Sequence, residues 1–195
     1  MKGIIFDLDG TLIDSRNGII ESFNYAYERV FKKHPRFKIS DLIGPPLDEI
    51  LNNIENPTIN QEKEFLIEFK NHYDHKGYKK SFLYDGVIES LNQLKSKKMT
   101  LYIATNKRLK PTLLILKLLN LQSFFEEVIC SDSYKKKISK IKMLELIYQK
   151  QNHKITKFFM IGDTIHDFEA SKKNQMEFIF VEYGYGKINL SSLNK

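Results

Sequence analysis

From residue 100 onward the chain alternates between two periodicities, and that alternation limits the fold more than any other feature. Short runs rich in β-branched and aromatic residues fall at 100–105 (TLYIAT), 126–131 (EEVICS), 157–163 (KFFMIGD) and 177–183 (EFIFVEY). Between them, segments 109–119, 138–151 and 165–173 have helical spacing, as in Leu113, Leu116 and Leu119 or Ile141, Leu144, Ile147 and Tyr148. Strands that alternate with helices are the pattern of a parallel sheet covered on both faces. A fifth strand is expected at 3–7 (GIIFD). The fold class is therefore α/β, with a doubly wound parallel sheet of Rossmann-like type as its core.

The stretch from 15 to 83 breaks the pattern. It offers no good strand and reads as several helices: one from Ser15 to about residue 33, one opening at PPLDEILNNI with proline first and acids early, and one over 60–76. Loops are expected at KKHPRF and IGPP, and Asp14 and Ser15 are expected to cap the first helix. This segment is expected to form an inserted helical cap domain, with 1–14 and 84–195 making the catalytic core. The chain re-enters near YDGV (84–87) through a helix ending near Lys97.

A chain of 195 residues can bury a proper core without staples. Cys130 is the only cysteine, so no internal disulfide forms, and its strand context marks it as a packing residue. No export signal or membrane segment is visible, because Asp7 interrupts the short apolar run after Met1. A cytoplasmic protein is expected. The net charge of +7 arises from 31 Lys+Arg spread among 24 Asp+Glu, and the densest patch, YKKKISKIK at 134–142, reads as a solvated loop entering a helix. Neither a nucleic-acid partner nor a membrane is expected.

At FDLDGTLIDS (6–15) two carboxylates, Asp7 and Asp9, close an apolar strand just before Gly10 and Thr11. Ionised neighbours repel, so a cation or the chemistry of a bound anion is implied. The other polar residues at the carboxyl ends of expected strands complete the set, and that edge of an open parallel sheet is where ligands bind. They are Thr105 and Asn106, Lys137 or Lys140, and Asp163 and Asp167 in GDTIHD. An acid pair, a hydroxyl, a lysine and a second acid pair make a metal and phosphate site.

Each residue type has a task in phosphoryl transfer. A carboxylate such as Asp7 can attack phosphorus and form a phospho-aspartate. Asp7 and Asp163 are hard oxygen ligands for Mg2+, and a lysine adds positive charge from the protein side. Asp9 can give a proton to the leaving oxygen and then withdraw one from water. Gly10 allows a tight turn, while the Thr105 hydroxyl and the Asn106 backbone amide can hold a phosphate oxygen. Lys107 and Arg108 lie on the same side, where a solvated helix start accounts for them almost equally well. None of the five histidines has metal-ligand spacing.

These segments resemble the haloacid dehalogenase-like phosphohydrolases, in particular members with a helical cap. FDLDGTLIDS is similar to that family's first motif, ATNKRLKPTLLILKLLNLQSFFEEVICSDS to its second-motif region and MIGDTIHDFEASKKN to its fourth. LIGPPLDEIL and FLYDGVIESLNQL are similar to cap segments of the phosphoglycolate phosphatase-like branch. The resemblance implies a nucleophile at Asp7, an acid/base at Asp9, a phosphate contact at Thr105, and Mg2+ ligands at Asp7, the Asp9 carbonyl and Asp163. Asp167 would orient metal-bound water or hold the lysine. That branch usually shows its lysine before a proline, and no proline follows either candidate here. Lys140 is preferred because it opens a helix with apolar residues three and four later, with Lys137 as the fallback.

The expected activity is a Mg2+-dependent phosphatase acting on a small phosphorylated metabolite, the protein being a monomer or homodimer. A phosphomutase of the same architecture is the alternative, although the glycine before Asp163 favours hydrolysis. A receiver-type signalling module would carry its accepting aspartate after the third strand and would need no insertion of about 70 residues. His34, Arg36 and Lys38 could accommodate a second anion, or form a wet loop.

Overall fold

The computed structural model describes residues 2–34, 47–151 and 155–186. The IGPP loop, Arg36 and Lys38 lie outside the described residues. The chain divides into two compact units, one made of Met1–Asp14 and Phe82–Lys195 and the other of Ser15–Ser81.

The first unit is built on five parallel strands: β1 (Lys2–Phe6), β4 (Thr100–Thr105), β5 (Phe125–Cys130), β6 (Lys157–Gly162) and β7 (Glu177–Phe180). Their order across the sheet is β5-β4-β1-β6-β7. β1 is central, pairing Ile4 with Leu101 on one side and with Phe159 on the other. A strand flanked on both edges and covered on both faces must be apolar throughout, which is why Ile4, Ile5 and Phe6 are all buried. The connection from β1 runs towards β4 and that from β6 runs towards β7, in opposite directions. The carboxyl ends of β1 and β6 therefore flank a topological switch point, where such sheets open a ligand crevice.

The crossovers are α4 (Val87–Ser96), α5 (Leu109–Leu118), α6 (Lys140–Lys150) and α7 (Ile165–Lys173). Met143, Leu144 and Ile147 of α6 pack with Ile5, Tyr102, Ile129 and Met160 in one buried cluster. Each such side chain contributes about 1.5–3 kcal/mol through removal from water. α6 opens on Ser139, whose hydroxyl accepts from the Lys142 N–H. That cap sets where the helix begins and makes Lys140 its first residue.

One pairing departs from the sequence reading. Ile13–Asp14 (β2) and Phe82–Leu83 (β3) form a short antiparallel ladder, so a strand does exist in the stretch read as purely helical. Two-residue strands are too short to show a period. The expected helix cap also differs: Ser15 sits at the N-cap position but makes no side-chain cap hydrogen bond, and Asp14 accepts from the Tyr185 hydroxyl at 3.0 Å.

The second unit contains α1 (Arg16–Phe31), α2 (Leu47–Ile54), α3 (Ile59–His75) and a 3-10 turn at Gly77–Lys80. Its core is aromatic: Phe23 of α1 meets Phe65 of α3 edge to face at 4.9 Å, and Tyr27, Phe69, Tyr73, Ile50 and Leu51 close around them. Gly18 permits a close approach, since a Cβ there would lie 2.1 Å from the Gly77 carbonyl oxygen. None of the described helices is long and apolar enough to cross a membrane.

Candidate active site

The loop after β1 places the first carboxylates. Asp7 N–H extends the ladder by donating to the Ile161 carbonyl at 2.9 Å, strapping its backbone to β6. The chain then folds on itself, with the Leu8 carbonyl accepting from Leu12 at 2.9 Å and Gly10 N–H donating to Ile13 at 2.9 Å. Gly10 takes a φ of +82° within 2.3 Å of the Asp163 Oδ2, measured from where a Cβ would stand. An L side chain would meet both the strained backbone and that oxygen.

Lys140 reaches this loop from the start of α6. Its buried ammonium donates to Asp7 Oδ1 at 2.5 Å and to the Ala104 carbonyl at 3.0 Å, and forms an ion pair with Asp167 Oδ1 at 2.8 Å. Asp167 in turn accepts from the Thr164 N–H at 3.0 Å and hydroxyl at 2.7 Å through Oδ2, so the same side chain starts α7 and holds Lys140. Asp163 is fully buried; Oδ2 accepts from the backbone N–H of Tyr185 at 2.6 Å and Gly186 at 3.1 Å. Carboxylate oxygens of Asp7, Asp163 and Asp167 all lie within 4.8 Å of one another.

The electrostatics follow from burial. Asp7 is pushed up to about 7, chiefly by desolvation, with Asp167 and Asp163 adding to the rise and Lys140 opposing it. Burial also raises Asp163, against the two backbone N–H groups that favour its anion. Lys140 is penalised by burial too, yet Asp167 and Asp7 more than compensate and hold it protonated well above the ordinary lysine range. Three carboxylates and one ammonium leave two uncompensated negative charges when all are ionised. This oxygen-rich cluster fits a small divalent cation such as Mg2+.

The remaining sequence candidates are placed as follows. Thr105 ends β4, buried, and its Oγ1 accepts from the Lys107 N–H at 3.2 Å. Asn106 is exposed in the turn between them. Lys137 is exposed on its loop and lies outside the carboxylate cluster that Lys140 enters. The Asp9 carboxylate is not part of that cluster either. Both of its oxygens accept from the Lys107 ammonium, at 2.9 and 3.0 Å.

Two contributions go beyond what the sequence shows. Lys107, which the sequence places either on the phosphate side or in a solvated helix start, has a side chain only 8% exposed. The other is the Gly-rich VEYGYG turn at 181–186, whose chain lies directly on Asp163: a Cβ on Gly184 would stand 2.3 Å from the Asp163 Cβ, and one on Gly186 would stand 1.9 Å from the Asp163 carbonyl oxygen. Two glycines near an expected strand end were the only available clue.

Comparison with known proteins shows the family. The haloacid dehalogenase-like hydrolase family matches residues 4–181, and the chain belongs to that family. It is 26% identical over 185 residues to the tyrosine-protein kinase PtkA of Mycobacterium tuberculosis, covering 94% of this chain and 63% of that protein. The chain thus spans less than two thirds of the length of the mycobacterial relative. It is 29% identical over 194 residues to the phosphoglycolate phosphatase of Vibrio vulnificus, covering 95% of this chain and 85% of that one. Among solved structures, a haloacid dehalogenase-like family hydrolase from Streptococcus pneumoniae superposes with a TM-score of 0.86 at 27% identity, over 98% of this chain and 89% of the other.

Proposed function

We propose that this chain is a Mg2+-dependent phosphatase that hydrolyses the phosphoric monoester of a small metabolite through a phospho-aspartate on Asp7. The observation that supports this most is the buried Lys140 ammonium joining Asp7 to Asp167 beside Asp163, at the switch point of the sheet. The likeness to a phosphoglycolate phosphatase favours a small phosphorylated substrate.

In the first half-reaction an Asp7 oxygen attacks phosphorus in line, the ester P–O bond breaks, and the leaving oxygen takes a proton from Asp9. The Thr105 hydroxyl and the Asn106 backbone amide orient the phosphoryl oxygens, and Lys140 offsets charge on the Asp7 side. In the second, water gives a proton to Asp9 and attacks the phosphorus of phospho-Asp7, whose P–O bond to Asp7 breaks to release inorganic phosphate. Asp7, Asp163 and the Asp9 carbonyl would hold Mg2+, with Asp167 beside them, and the bound ion supplies charge relief for attack by an anion on an anion.

The test is release of inorganic phosphate from a panel of phosphoglycolate, sugar phosphates, nucleotides and pyrophosphate, with Mg2+ and with a chelator. Asp7→Asn is expected to be inactive. Asp9→Asn is expected to release p-nitrophenol once from p-nitrophenyl phosphate and then stall with a phosphoryl group on Asp7, found by mass spectrometry. A phosphoryl group on Asp9, normal turnover by Asp7→Asn, or transfer to a sugar or tyrosine hydroxyl in preference to water would overturn the proposal.

A further inference from the structure

Lys107 is held by its backbone on both sides. Its N–H donates to Thr105 Oγ1 at 3.2 Å, its carbonyl accepts from Ser131 N–H at 3.4 Å, and the next turn is fixed by Leu109 N–H donating to Asp132 Oδ1 at 2.7 Å. The side chain therefore starts from the same rigid turn that carries Thr105 and Asn106, and only its flexible four-carbon stem is free to redirect the ammonium. The bond to Thr105 also has a chemical consequence. The Thr105 oxygen accepts from the turn, so its own proton is available to an oxygen arriving from the sheet edge.

The ammonium donates to both oxygens of the Asp9 carboxylate, whose side chain is 21% exposed against 8% for Lys107. A lysine so placed faces a monoanion where a phosphate dianion is expected to arrive. The dianion offers more charge and more acceptor oxygens to the same donor.

We propose that Lys107 is a phosphate-binding residue that is parked on Asp9 until phosphate arrives and then exchanges partners. This rests on the phosphatase reading above and adds to it a phosphate contact beyond the Thr105 hydroxyl and the Asn106 amide. The exchange selects for a terminal phosphate dianion. It also withdraws the lysine from the Asp9 carboxylate in the same event that brings the leaving-group oxygen, and the proton that Asp9 then passes to that oxygen is taken up from solvent.

The test is binding of inorganic phosphate, measured calorimetrically in the presence of Mg2+, to the wild type, Lys107→Met, Asp9→Asn and the double variant, with thermal melts to show that each is folded. Lys107→Met is expected to weaken phosphate binding about tenfold or more, the loss typical of a hydrogen bond to a charged group. Lys107→Arg is expected to retain most of the affinity, and Lys107→Gln gives the same test if the methionine variant fails to fold. Asp9→Asn is expected to tighten binding, because it releases Lys107, and this gain should vanish in the Lys107→Met background. Equal phosphate affinity in wild type and Lys107→Met, or an Asp9→Asn gain of the same size in both backgrounds, overturns the Lys107 assignment and leaves the phosphatase reading standing. A wild type that binds no phosphate removes the phosphate site itself, and the assignment with it.

Discussion

Asp7→Asn separates the electrostatics of the cluster from its chemistry. In the metal-free protein, burial and the neighbouring carboxylates raise Asp7 from an ordinary 3.8 to about 7. A carboxyl whose pKa is higher folded than unfolded binds its proton more tightly in the fold. Its contribution to stability is full below the unfolded value and is lost as pH rises through the folded one. Between pH 5 and pH 8 the wild type should lose on the order of a few kcal/mol from this one group, most of it below pH 7. Asparagine is neutral throughout and nearly isosteric, so the variant lacks that loss. The measurement is urea unfolding followed by circular dichroism at both pH values in chelator. The difference between the two proteins cancels the titration of the histidines and surface acids. Asp7→Asn should gain on the order of a few kcal/mol relative to wild type on going from pH 5 to pH 8. Saturating Mg2+ at pH 8 should raise the stability of the wild type and leave the variant nearly unchanged. A difference that is the same at both pH values would refute the account of Asp7 as a carboxylate strained by burial.

Lys140→Met removes the one cation between Asp7 and Asp167 and should destabilise the protein by about 3–5 kcal/mol at pH 8, whereas Lys137→Met, at an exposed position, should stay within about 0.5 kcal/mol; urea titrations of the two variants check this. Gly10→Ala places a methyl group 2.3 Å from Asp163 Oδ2 at a φ of +82°. It should cost about 1–3 kcal/mol in backbone strain and abolish the Mg2+-induced rise in melting temperature, as read by calorimetry.

The elements that could be read from the sequence are those long enough to show a period. Thr100–Thr105 and Leu109–Leu118 fall within a residue or so of the expected strand and helix because six and ten residues suffice to show alternation or helical spacing. β2 and β3 carry two residues each and show nothing. Strand order was not legible, since periodicity says which faces are apolar and not which neighbours pair. For the site, the placement of Asp7, Asp163, Asp167 and Lys140 was accessible because each follows the carboxyl end of a strand or opens the next helix. The contact between Lys107 and Asp9 was not: it spans 98 residues of sequence and depends on the rotamer of a long side chain. The close passage of Gly184 and Gly186 over Asp163 depends on the tertiary path of a turn.

The spacing of Asp7 and Asp9 invites treating them as a pair with one shared cation. The structure separates them. Asp7 is buried with Lys140 in a cluster that carries two negative charges in excess when all of its groups are ionised, while Asp9, part exposed, is paired with Lys107. The two carboxylates therefore respond to different partners. A divalent cation acts on the first, because only there do three carboxylates outnumber one ammonium, and a phosphate dianion acts on the second, because it competes for Lys107. Metal binding alone should then leave the Asp9–Lys107 ion pair intact, and phosphate should break it. Proton-detected NMR of the Lys107 ammonium distinguishes the two: a resonance protected in metal-free protein that persists with Mg2+ and shifts on adding inorganic phosphate fits this division, and one lost on adding Mg2+ alone contradicts it.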